Sequence, residues 1–274
     1  MKFSKTALWL SALVAILVLL ASGAGLLLTS TYARETPSWA VQGIGQDIVN
    51  LIAALALVIT AYLVNKGSVK AFLVWSGVLL YLIYAYVIYA FDVHFNRLFL
   101  VYVAILGLSF YALVGSVIRL HLDQFQTSFA ANTTARAVSV FLLVLGILFY
   151  LLWFSEEIPA LVTGKIPASV TMANLPTNPV HVLDLALYLP VMIITAVLLW
   201  QRKLLGYLLA GPLLVFSILT GTAILAIFLV TSMRGMPTSI GIEAFFALII
   251  VVSLVLSVLY VREVKEQVAA PVVR

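Results

Sequence analysis

Leu204–Thr231 reads LLGYLLAGPLLVFSILTGTAILAIFLVT, 28 consecutive positions without an Asp, Glu, Lys or Arg. A helix rises 1.5 Å per residue, so roughly 20 apolar residues cross about 30 Å of hydrocarbon. This run is long enough to span a bilayer and too long to stand upright in one. Gln201-Arg202-Lys203 closes it on one side and Arg234 on the other, so polar residues mark where the apolar solvent ends.

Working outward, the same pattern recurs. Apolar runs occupy about 7–29, 47–64, 70–91, 97–118, 137–154, 180–200, 204–231 and 239–261, eight in all. Across 274 residues, 64% are hydrophobic and 9% charged, where a soluble domain is nearer half and a quarter. The connections are too short for a separate soluble domain. The expected fold is therefore all-α, a polytopic membrane protein forming a single bundle of eight transmembrane helices. Lys2 and Lys5 ahead of the first run resemble a signal peptide, but Leu26-Leu27-Leu28 prolongs it into a retained span.

Local punctuation agrees. Asn65-Lys66-Gly67-Ser68 makes a tight turn, and Asn178-Pro179 places an N-cap and a first-turn proline at the start of the sixth span. Gly211-Pro212 predicts a kink in the seventh. No internal repeat relates the two halves.

Basic residues set the orientation. The side holding the N-terminus and every second connection carries Lys2, Lys5, Lys66, Lys70, Arg119, Arg136, Arg202, Lys203, Arg262, Lys265 and Arg274, against Arg34, Arg97, Lys165 and Arg234 on the other. Both termini are expected in the cytoplasm of a prokaryotic cell, the protein residing in its plasma membrane. Trp9, Trp75 and Trp200 then fall near the inner interface and Trp39 and Trp153 near the outer one, as an aromatic belt. The basic residues are scattered along loop ends, which does not suggest nucleic acid. The absence of cysteine excludes disulfides and thiolate metal sites.

Acids follow the opposite bias. Asp123, Glu263 and Glu266 are inside, while Glu35, Asp47, Asp92, Glu156, Glu157, Asp184 and Glu243 are outside with His94 and His181. The outer face is thus the titratable face. His181 and Asp184 share one helix face, a spacing suited to a common metal or to a carboxylate that orients an imidazole. Asp92, His94, Asn96 and Arg97 crowd the short turn between the third and fourth spans. Asp92 or Asn96 can cap the fourth helix; alternatively this turn faces His181 and Asp184, and the two histidines with nearby oxygen donors hold a divalent metal. Asp47 and Glu243, like Asp184, open helices whose dipoles favour an acid there without any further role. Glu156-Glu157 reads as a solvated pair. In the third span, Tyr86 and Tyr89 read as belt residues, while Tyr81 and Tyr84 lie deeper and need hydrogen-bond partners.

Tyr89-Ala90-Phe91 through Asn96-Arg97-Leu98-Phe99-Leu100, and Asn178 through Ala186, resemble segments of a family of prokaryotic multi-span membrane proteins with no assigned activity. The chain departs from the intramembrane metal hydrolases of the ceramidase and progestin-receptor type. It has no His-x-x-x-His pair, and His121 lies on the opposite side from the other histidines. Phosphate-binding loops, nucleophile elbows and dinucleotide fingerprints are absent from the sequence. Three function classes stand: binding or moving a small solute or ion through an outward-facing acidic cavity; an accessory or sensor subunit contacting another membrane protein or a second copy; and a membrane enzyme acting on a lipid at the outer interface. The first leads.

Overall fold

The computed structural model describes residues 5–120, 129 and 133–265. Lys2, His121, Asp123, Glu266 and Arg274 lie outside them. Among the described residues there is no strand, and eight helices are long and apolar enough to cross a membrane. They are α1 (Lys5–Leu27), α2 (Pro37–Asn65), α3 (Val69–Phe91), α4 (Phe99–Val117), α5 (Ala135–Thr163), α7 (Pro179–Trp200), α8 (Leu204–Met233) and α9 (Ile240–Glu263). A short α6 (Ala168–Ala173) lies in the α5–α7 connection.

Two helices extend well past the expected spans. α2 begins at Pro37 rather than near 47, and α5 runs to Thr163 rather than 154. Both additions lie at the end of the bundle away from the termini, termed here the far end. Hydropathy marks only the hydrocarbon-thick part of a helix, so polar turns beyond it escape the count. Thr36 caps α2, accepting from Trp39 N–H at 3.2 Å while donating to the Met172 carbonyl at 2.9 Å, which ties α6 to it. Asn178 caps α7 as its sequence suggests, its Oδ1 accepting from Val180 and His181 N–H.

The helices close into two four-membered rings. α1, α2, α3 and α4 form one; α5, α7, α8 and α9 form the other. α8 joins them by packing on both α2 and α3. The spans are apolar all round, so small residues rather than an amphipathic stripe decide which faces meet. A Cβ on Gly45 would lie 2.5 Å from Ile227 Cα, so α2 and α8 touch backbone to backbone there. Gly77 lets α3 approach α8 equally closely beside Pro212 and Val215. α8 stays helical through Pro212. An irregular turn lies in α7, where Asp184–Tyr188 is π-helical. Pro190 accounts for it: a proline lacks the N–H and crowds the carbonyl four residues back, and the wider turn relieves that clash. Tyr150 Oη donates to the Leu185 carbonyl within the turn at 3.0 Å.

The aromatic belt is only partial. Trp9 and Trp200 are exposed as expected. Trp75 is buried and its indole N–H donates to Ser11 Oγ at 2.9 Å. Trp39, Tyr86 and Tyr89 are also buried. For Trp75 and Tyr89, a polar atom satisfied within the protein is less costly than one facing hydrocarbon; Trp39 Nε1 and Tyr86 Oη are buried without a hydrogen-bond partner of good geometry.

A candidate solute cavity at the join of the two rings

Three polar groupings occupy the far end. The first is in α2. Gln42, Gln46 and Asn50 recur every fourth residue, so they line one helix face. Gln46 Nε2 donates to Tyr81 Oη at 2.6 Å and to Asn50 Oδ1 at 3.2 Å, and Tyr81 Oη donates to Asn50 Oδ1 at 3.1 Å. Asp47, on the adjacent face, is completely buried. Tyr32 Oη donates to its Oδ2 at 2.5 Å and Tyr89 Oη to its Oδ1 at 2.9 Å. Gly25 makes room for it: a Cβ there would stand 1.8 Å from Oδ2. Burial and the neighbouring carboxylate together hold the Tyr32 hydroxyl well above the usual tyrosine range.

The second grouping joins α5 and α7. His181 is buried, with Nδ1 2.6 Å from Glu157 Oε1 and Nε2 3.9 Å from Glu156 Oε2. Its ring lies 4.2 Å from that of Trp153. The Trp153 indole N–H donates to Asp184 Oδ2 at 2.9 Å, where the π turn starts. Glu156 accepts from Ser169 N–H at 3.1 Å, holding α6 in place. The Glu156-Glu157 pair is therefore partly buried, 32% and 26% exposed, and tied to His181 and α6 rather than freely solvated; the two adjacent carboxylates bracket the buried imidazole.

The third grouping is in the connections. His94 donates its backbone N–H to Glu35 Oε1 and sets Nδ1 2.8 Å from Glu35 Oε2. Asn96 Oδ1 accepts from Leu98 N–H at 2.8 Å, turning the chain into α4. Arg97 is exposed. Asp92 ends α3 half-buried, and loss of water pushes its carboxyl up to about 6. Glu243 sits in the first turn of α9.

A cavity of about 600 Å³ lies where the rings join. Gln42 and Gln46 line it from α2, Tyr84 and Tyr89 from α3, Trp153 and Glu156 from α5, and His181 from α7. Met172 of α6 and Met236 and Pro237 of the α8–α9 connection border it. A smaller void of about 90 Å³ holds Asp184 and shares Tyr84, Trp153 and Phe246 with the larger one. Of the candidate residues, His181 lines the large cavity, Asp184 the small one, and Asp47 sits behind Tyr32 and Tyr89 at its wall. His94, Asp92, Asn96, Arg97 and Glu243 are not among the lining residues. His94 pairs with Glu35 and His181 with Glu157, and among the described residues no group of three His, Asp or Glu is placed to hold a metal.

The sequence pointed to Asp184 and His181 but not to Glu156, Trp153, Gln42 or Gln46. The four-residue repeat of amides in α2 is the signal that could have found the last two. Among the described residues, no lysine or arginine lines the cavity. The rest of the wall is largely aromatic and aliphatic, with Trp39, Phe228 and Phe246 beside the rings already named, and carries the uncharged polar side chains of Ser38, Ser169, Asn178, Thr220 and Thr231.

Eight apolar spans around such a chamber define a multi-pass membrane protein. Comparison with protein-family models, with curated proteins and with solved structures returns no match for this chain.

Proposed function

We propose that this protein binds, and passes across a prokaryotic plasma membrane, a small organic cation that occupies the far-end cavity from outside the cell. One observation carries the reading: a chamber of about 600 Å³ with aromatic rings in its wall, the Glu156 carboxylate lining it and Glu157 just behind on His181, and, among the described residues, no lysine or arginine. Glu156 and Glu157 outnumber the single imidazole of His181, so the grouping is negative whether or not the ring is protonated. Trp153, Tyr84 and Tyr89 line the cavity with aromatic rings, side chains whose π systems attract cations, and the apolar part of the wall favours a carbon skeleton. An anion would meet the Glu156 carboxylate, and among the described residues no lysine or arginine lines the cavity to offset it. The volume is in the range of small-molecule sites.

The orientation rests on the eleven basic residues on the side of the termini against four at the far end. The position of the cavity between two helical rings is where rocking of one against the other would change access.

Binding is tested on protein in lipid nanodiscs by quenching of tryptophan fluorescence, using tetraethylammonium, an aromatic amine and a matched aromatic carboxylate. The cations should bind and the carboxylate should not. Glu156→Gln should weaken cation binding about tenfold, equivalent to about 1.4 kcal/mol. Equal binding of the carboxylate, or no effect of Glu156→Gln, would contradict the reading.

A further inference from the structure

We propose that Asp47 is a proton-exchange site, loaded and unloaded from the cavity through Tyr89 and Tyr32. The proposal is independent of the cavity's solute. Asp47 is wholly buried within a membrane-spanning helix. The titratable groups facing it are tyrosines: Tyr32 from the α1–α2 connection, Tyr81, Tyr86 and Tyr89 from α3, and Tyr102 from α4. α1 contributes Ser22 and Gly25, and α8 meets this part of α2 with Ile227. None of these supplies a positive charge. A carboxylate kept at this depth only for structure would be matched by a basic residue, and intramembrane acids without one mark ion and proton pathways.

A second feature points the same way. Ser22 Oγ, Asn50 Nδ2 and Tyr86 Oη are buried and have no hydrogen-bond partner of good geometry. Ser22 lies beside both the Asp47 carboxylate and the Tyr86 hydroxyl. These spare groups let both charge states be satisfied. The ionised carboxylate accepts from Tyr32, Tyr89 and a rotated Ser22 hydroxyl. The neutral acid donates its new O–H to Ser22 Oγ or to a tyrosine oxygen.

The packing favours a proton over a metal cation. Tyr32 Oη is 2.5 Å from Oδ2, and the α1 backbone at Gly25 closes the other side. A hydrogen fits between such atoms; a sodium ion does not. The route is short. Tyr89 and Tyr32 both line the cavity. Tyr89 passes its hydroxyl proton to Asp47 Oδ1, 2.9 Å away, as its oxygen takes a proton from hydronium in the cavity. Two O–H bonds break, that of Tyr89 and one of hydronium, and two form, on Asp47 and on Tyr89; hydronium becomes water, and the carboxylate charge falls from −1 to zero.

Infrared difference spectroscopy on the full chain in nanodiscs, without added solute, reads this directly. Between about pH 4 and about pH 10 a protonated carboxyl C=O band should appear and vanish. Asp47→Asn should remove it. Tyr32→Phe and Tyr89→Phe each delete one hydrogen bond to the carboxylate while leaving it in place. Both should move the band, which identifies Asp47 even if its own variant fails to fold. Tyr89→Phe should also slow exchange severalfold in a pH jump. A band fixed in either state across the range, a band indifferent to all three substitutions, or one governed by sodium at constant pH would overturn the proposal.

Discussion

Asp92 and Asp47 are two acids on the same half of the bundle with opposite surroundings. Asp92 ends α3 half-buried, and its carboxyl is raised to about 6 by lost hydration. A raised acid binds its proton more tightly in the folded protein than in the unfolded one. Its ionisation therefore removes stability as pH rises from about 4 to about 6, and the loss is complete above that. Asp92→Asn should flatten the slope of melting temperature against pH across that window; an unchanged slope would assign it elsewhere. Asp47 has traded water for two tyrosine hydroxyls. Little of this was legible in the sequence. Tyr32 lies 15 residues from Asp47 and Tyr89 lies 42, and which ring turns inward depends on helix packing. The His181–Asp184 face was legible, because both residues lie within one turn of one helix. Their partners Glu157 and Trp153 come from α5 and were not.

At the scale of elements, small residues decide the fold. Gly45 puts α2 against the backbone of α8, and this contact joins the two rings. Gly45→Val should force the helices apart and cost about 1–3 kcal/mol, as overpacking does. Thermal unfolding in detergent measures it, and a variant as stable as the parent would show that α8 is not held there. The existence of every span was readable, since each must supply about 20 apolar residues. The far-end turns of α2 and α5 were not, because they stand beyond the hydrocarbon and carry Gln42, Gly43, Glu156 and Glu157. The kink expected at Pro212 and the π turn found near Pro190 share one lesson. Proline marks where a helix must adjust, but neighbouring groups, here Tyr150 on the Leu185 carbonyl, decide how.

At the scale of the whole molecule, the bilayer imposes so much that hydropathy and charge counts go far. Span number follows from length, and the proposed sidedness rests on eleven basic residues against four. Reporter fusions after Arg136 and Lys203 should accordingly read cytoplasmic, and fusions near Lys165 and Arg234 extracytoplasmic. A cytoplasmic reading at Lys165 would reverse the cavity's exposure. What a linear pattern cannot carry is which helices become neighbours. The two-ring arrangement creates the chamber, and it arises from close contacts between residues as distant as Gly45 and Ile227.

The central claim is that the aromatic, acidic cavity faces outward and takes an organic cation. The chain has no cysteine, so one introduced thiol reports without background. Gln42 lines the cavity from α2, making Gln42→Cys the probe. In intact cells, a membrane-impermeant maleimide added from outside should label it, and tetraethylammonium should slow labelling severalfold while an aromatic carboxylate should not. Labelling only after the membrane is opened, or protection by the carboxylate and not by the cation, would contradict the account.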